Sequence, residues 1–362
     1  MQFRKLTKVI LLAGVLSTAN SCTDSLPGAP PIIIPPGPNG NILYSAANTS
    51  DPDKSELMLV DSFGINRGTL GPGFLMSEPG RDRAAWTIFR GLFATDLWAG
   101  PTSGGTGAQV SPIFSADELL VHGSAAISPD GRRVAFSTVN LFSGNTKLYY
   151  YESSNGIAPT PNFIANDIAF NSVPSFSPDG NKIAYFTQQV DAVGEPIIGS
   201  QGFEIADITT SLPTFDDLTS MVGAFEVSGL ETIDWSPNGE ELLFSAGGIQ
   251  YHYVDGSLPI SSYIHGTFSP DGNRIAYISA DGQLYIEDRL GQGGRLQLTA
   301  AVDSVAFFPS WSPDGKKIVY TSISTVQIEE FNGSIKTVDV ADPNSVTQLV
   351  GGNSARAFWL RR

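Results

Sequence analysis

The sequence predicts an all-β repeat protein, a β-propeller of four-stranded antiparallel blades. Three observations carry this. A Ser-Pro-Asp-Gly turn recurs at Ser128, Ser177, Ser269 and Ser312, with an Asn-bearing copy at Ser236. Each turn is followed by an apolar triplet ending in an aromatic residue: Val134-Ala135-Phe136, Ile183-Ala184-Tyr185, Leu242-Leu243-Phe244, Ile275-Ala276-Tyr277 and Ile318-Val319-Tyr320. A further apolar segment then tends to end in an acid, as at Glu152, Asp207, Asp255, Asp288 and Asp339. Constant internal spacing over five copies marks a repeat architecture.

The turn is legible from local chemistry. Pro presets φ for the second position of a type I turn, Ser and Asp or Asn hydrogen-bond nearby backbone, and Gly accepts φ > 0. Phe176, Trp235, Phe268 and Trp311 precede four of the serines, with Ile127 before the fifth. The unit therefore reads strand, tight turn, strand. These aromatics are expected to pack between blades, and the turn aspartates to serve the turn rather than catalysis.

Two weaker units extend the array. Ser77-Glu78-Pro79-Gly80 precedes Ala84-Ala85-Trp86, and Gly40 precedes Ile42-Leu43-Tyr44. The chain ends on Ala355–Leu360, a pre-turn strand with Trp359 where Trp311 stands, and no turn after it. The expectation is ring closure, with the C-terminal strand pairing with strands between Asn41 and Asp61. That arrangement leaves no open sheet edge at the seam. Residues 39–362 divided among seven blades give roughly 46 residues each, near the usual length. Seven is the preferred count and six the alternative.

The turn followed by Ile-Ala-Tyr or Val-Ala-Phe resembles the TolB-type, WD40-like β-propeller repeat, over nearly all of residues 39–362. Similar repeats occur in periplasmic TolB, in non-catalytic domains of serine peptidases and in some polysaccharide lyases. The resemblance implies a binding or scaffold module for envelope proteins or glycans. It leaves one enzymatic alternative, a polysaccharide lyase or glycan hydrolase with a metal site in the central channel.

Residues 1–21 read as an export signal: Arg4, Lys5 and Lys8, then an apolar core from Val9 to Leu16 too short to span a bilayer. Ala19-Asn20-Ser21-Cys22 resembles a lipobox, which implies lipidation of Cys22, the only cysteine. Membrane attachment is expected through this anchor alone, with the protein exported to the cell envelope, at the outer membrane, facing the periplasm or the surface. Residues 22–38 form a Pro-rich tether. At about 3.1 Å per residue in polyproline II it reaches roughly 50 Å.

Composition narrows the function classes. A formal net charge of −15 without a basic patch argues against nucleic acid. Nucleophile-elbow and phosphate-loop motifs do not occur in the sequence. The three histidines, His122, His252 and His265, show no close metal-ligand spacing. Asp51–Glu56 looks superficially like a calcium loop but lacks the glycine and glutamate of an EF-hand. No cofactor, metal or catalytic residue is assigned, and a monomer is expected. Repeat alignment nominates His122, Asn171, Glu231, His265, Phe307 and Arg356 as a ring of binding residues at the channel mouth.

Overall fold

The turn builds the hairpin as its chemistry requires. The serine side chain does two jobs. In the copy at Ser128, its hydroxyl donates to Asp130 Oδ1 (2.6 Å) and accepts the Arg133 N–H (2.9 Å). The Gly131 N–H closes the turn on the Ser128 carbonyl at 2.8 Å. The same bonds recur at Ser177, Ser236, Ser269 and Ser312. At Ser236, Asn238 Oδ1 accepts in place of the carboxylate (2.7 Å). The closing glycines sit at φ +67° to +74°, a left-handed backbone that other residues adopt at a cost.

The computed structural model of the chain describes residues 41–360, apart from 48–54, 74–76, 78, 81–82, 92–93, 103–107, 110–116, 153–160, 170–171, 193–194, 211, 222–231, 255–259, 262, 302 and 326–332. The described residues form six antiparallel sheets arranged as a propeller. Four are four-stranded blades in sequence order, such as Tyr263–Phe268, Arg274–Ser279, Leu284–Asp288 and Arg295–Gln297. One has three described strands, Arg83–Gly91, Ala94–Pro101 and Ala108–Gln109.

The sixth sheet has seven strands because one strand serves two repeat units. Asp342–Trp359 pairs through its first half with Gly333–Asp339 and through its second half with Asn41–Ala47. The strands Ser304–Trp311, Lys317–Ser324 and Gly333–Asp339 thus continue into Asn41–Ala47, Ser55–Asp61 and Asn66–Pro72. Six sheets carry what the sequence counts as seven units, with the last two fused. The register Ile42↔Trp359, Leu43↔Phe358 and Tyr44↔Ala357 closes the ring as expected.

Blades adhere through apolar layers between neighbouring sheets. Phe186 and Phe203 of one blade meet Phe244 and Tyr251 of the next, with Phe203 stacked on Phe244 at 4.0 Å. The aromatics before the turns belong to these layers. Trp235 and Trp311 each donate their indole N–H to a carbonyl of the preceding blade, Ser175 (3.3 Å) and Thr267 (3.2 Å). Trp359 is buried among Ile42, Val319 and Ile335 at the seam.

In four of the units a cross-strand charge pair stands beside the turn. Arg133, Lys182, Arg274 and Lys317 stand directly opposite Glu152, Asp207, Asp288 and Asp339. Such opposed charges favour the register. Arg133 and Arg274 also reach the next turn, donating to the carbonyls of Gly180 (2.7 Å) and Gly315 (3.2 Å).

Hydrogen bonding holds the four turn carboxyls below the usual carboxylate range. For Asp271 the Ser269 hydroxyl is the largest cause. For Asp130, Asp179 and Asp314, partial burial pushes upward, and the serine hydroxyl with nearby backbone N–H groups outweighs it. A depressed folded-state value means stability that is complete above the unfolded value, about 3.9, and lost as pH falls through the folded one. Replacing Asp130, Asp179, Asp271 and Asp314 by Asn, as nature does at Asn238, is expected to shrink the fall in Tm between pH 7 and pH 3. Calorimetry at the two pH values checks this, and an unchanged fall would refute the assignment.

Candidate functional site

The central channel is lined where inner strands bulge. Opposite Tyr277 the inner strand inserts His265 and Gly266, and opposite Tyr320 it inserts Phe308 and Pro309. Arg356 is the extra residue between the pairs Tyr44↔Ala357 and Ser45↔Ala355. At each bulge a non-glycine residue takes the left-handed region: His265 at φ 56°, Phe308 at 50° and Arg356 at 33°. Such a backbone costs about 1–3 kcal/mol per residue and concentrates at functional sites.

The three side chains form one column across three consecutive repeat units. The His265 ring stacks on Phe308 at 4.6 Å and 18°. The Arg356 guanidinium lies 4.1 Å over the Phe308 ring, a cation–π contact. His265 and Arg356 are buried. The column borders a cavity of about 120 Å³, whose other walls include Val173, Thr232, Asp234 and Phe358. A second opening of about 80 Å³ continues from it toward the turns, sharing Ser77, Pro174, Ser175 and Asp234.

The preceding blade holds the bulge at His265 in place. Asp234 Oδ2 accepts the Phe268 N–H (2.7 Å), and the buried Gln250 side chain accepts the Gly266 N–H through Oε1 (2.7 Å). A Cβ at Gly266 would meet Gln250 Oε1 at 3.0 Å, so a side chain there would crowd this hydrogen bond.

The sequence-nominated residues fall in different places. His265 and Arg356 border the cavity. Phe307 is buried beside His265, at 5.8 Å between rings, and its neighbour Phe308 takes the lining position. Asn171, Glu231 and the His122 side chain lie outside the described residues, as do Cys22 and Asp51–Lys54. Counting back three from the residue before each turn gives Ser124, Val173, Thr232, His265, Phe308 and Arg356. All but Ser124 border the cavity. The fixed offset from the pre-turn residue was the usable signal.

His252 belongs to another cluster. Its Nε2–H donates to Glu241 (2.8 Å), whose other oxygen pairs with Arg289 of the next blade. Glu241 and His252 are buried, and burial pushes the imidazole below its ordinary pKa. Glu241 occupies the position that Arg133, Lys182, Arg274 and Lys317 fill elsewhere, so the inter-blade link is charge-inverted here. Among the described residues, no group of three or more His, Cys, Asp or Glu side chains is arranged to hold a metal ion.

Asp234→Ala leaves the Phe268 N–H without its acceptor, whereas Asp234→Asn keeps an oxygen in place. The alanine variant is expected to lose about 1–3 kcal/mol, most of it recovered by asparagine. Urea denaturation of both variants checks this, and equal losses would show that the bond to Phe268 is not what matters.

No protein-family model and no curated protein matches the chain. Solved structures do. A protein assigned as TolB from Agrobacterium tumefaciens is 19% identical, with a TM-score of 0.43 over 68% of this chain and 86% of that one. Puromycin hydrolase is 13% identical with a TM-score of 0.60, covering 90% of this chain and 54% of that one. A prolyl endopeptidase is 14% identical with a TM-score of 0.54, covering 75% of this chain and 42% of that one. This chain therefore spans about half the length of the two hydrolases, and at these identities the likeness is one of fold. With the Ser-Pro-Asp-Gly turns in their expected places around the ring, the architecture is a β-propeller.

Proposed function

We propose that the protein is a non-catalytic binding module of the cell envelope, whose channel receives part of a protein partner or glycan. The observation that carries this is the column of His265, Phe308 and Arg356, three strained residues turned onto one cavity. Strain of this kind persists only where the surroundings over-determine it. The cavity has the concave form and mixed lining of a recognition site, with aromatic, cationic and carboxylate groups converging on it. Attachment to the membrane through lipidated Cys22, at the outer membrane, completes the reading. Its support is the order of charged, apolar and cysteine segments within residues 1–22.

The test crosslinks the full chain in intact cells and quantifies the retained protein or glycan. Arg356→Lys keeps the charge but loses the planar group over Phe308, and retention is expected to fall about tenfold, or 1.4 kcal/mol. Retention equal to that of the parent chain, with Tm unchanged, would place recognition elsewhere. Cys22→Ser is expected to move the protein from the membrane pellet to the soluble fraction. Continued sedimentation with membranes would refute the anchor.

A further inference from the structure

The channel's second opening lies inside the ring of turns. It is bordered by the turn prolines Pro129, Pro178 and Pro237, with Phe176 and Trp235 beside them. The turns are in close succession around this mouth: a Cβ at Gly272 would lie 3.4 Å from Pro237, and one at Gly239 would lie 3.5 Å from Pro178. One member of the ring is absent. In the closing unit the inner strand ends at Trp359 and its neighbour begins at Asn41, with no turn between them. The Leu360 N–H donates to the Asn41 carbonyl (2.9 Å) at the place where other units turn. The chain before Asn41 therefore joins the fold within the ring of turns, beside the mouth.

We propose that Ile32-Ile33-Ile34 docks in this mouth. Asn41 lies seven residue steps beyond Ile34, a reach of roughly 23 Å at 3.3 Å per residue, enough to cross a mouth framed by neighbouring turns. The chain carries no charge between Ser25 and Asn41, which suits a rim built mainly of prolines and apolar residues, with Ser77, Ser175 and Asp234 among them. A solvated spacer has no need of three consecutive branched apolar residues, and their burial against Trp235 and Phe176 is favourable. The flanking Pro30-Pro31 and Pro35-Pro36 keep the segment extended, which lowers the ordering cost of docking on an aromatic-lined groove. The Trp235 indole N–H is already committed to Ser175, so only the thin exposed edge of its ring, at 9% exposure, borders the mouth. Docking leaves residues 23–31 as free tether, about 28 Å in polyproline II. This inference does not depend on what enters the channel from elsewhere.

The test places a benzophenone amino acid at Ile33 of the full chain, irradiates it and maps the products by mass spectrometry. Crosslinks within one chain to residues 176–178 or 235–237 are expected. In parallel, Ile32, Ile33 and Ile34 are all changed to Ser, which leaves the described fold intact. The Trp235 indole N–H resonance is expected to shift in this variant and to return when a peptide of sequence PPIIIPPGPN is added. An unmoved resonance with scattered crosslinks would overturn the proposal and leave the segment a plain spacer. Crosslinks that join two chains and grow with protein concentration would overturn it in favour of a second copy as the occupant.

Discussion

The structure depends on a serine hydroxyl that is shared. In each turn it donates to the side chain two residues on and accepts the N–H five residues on, so it sets the turn and the first pairing of the hairpin together. Water reaches it little, since all five serines are buried. A buried hydroxyl without partners is costly, so this geometry is strongly selected over others. The residues after the turn then enter the sheet in one register, with the basic side chain facing the acid of the third strand and the apolar triplet facing the neighbouring blades. Local chemistry at one residue thereby orients the whole blade.

Blades are joined by direct links as well as by apolar layers. Tryptophan N–H groups and arginine side chains donate to backbone carbonyls one blade away. Where Glu241 replaces the basic residue, the donor comes from the other side, as Arg289. The contact is kept while its polarity is reversed. Breaking such a buried pair from one side leaves a carboxylate in low dielectric, so the two charges must change together if they change at all.

What was legible in the sequence was what is local. The turns, the strand after each turn and the pairing of Trp359 with Ile42 follow from short-range patterns. The lining of the channel was less so, because a bulge inserts a residue without a partner and shifts the side chains that follow it. Phe307 and Phe308 are both aromatic, and the bulge opposite Tyr320 decides which lines the cavity. The Glu241–His252–Arg289 cluster was harder still, as its members come from two blades. Its one sequence trace was an acid in a slot otherwise basic.

The seam accounts for the strained backbone at Phe308 and Arg356. His265, Phe308 and Arg356 lie in the last complete blade, the following unit and the closing unit. The last two share the continuous strand Asp342–Trp359, so neither can separate from the other without breaking a sheet. That continuity provides the over-determination that left-handed non-glycine residues require. On the other flank, Asp234 and Gln250 fix the backbone on both sides of Thr267. A rigid frame on both sides of the column lets three unfavourable backbone conformations persist together. The strained column at the channel and the closure of the ring are in this sense one structural feature.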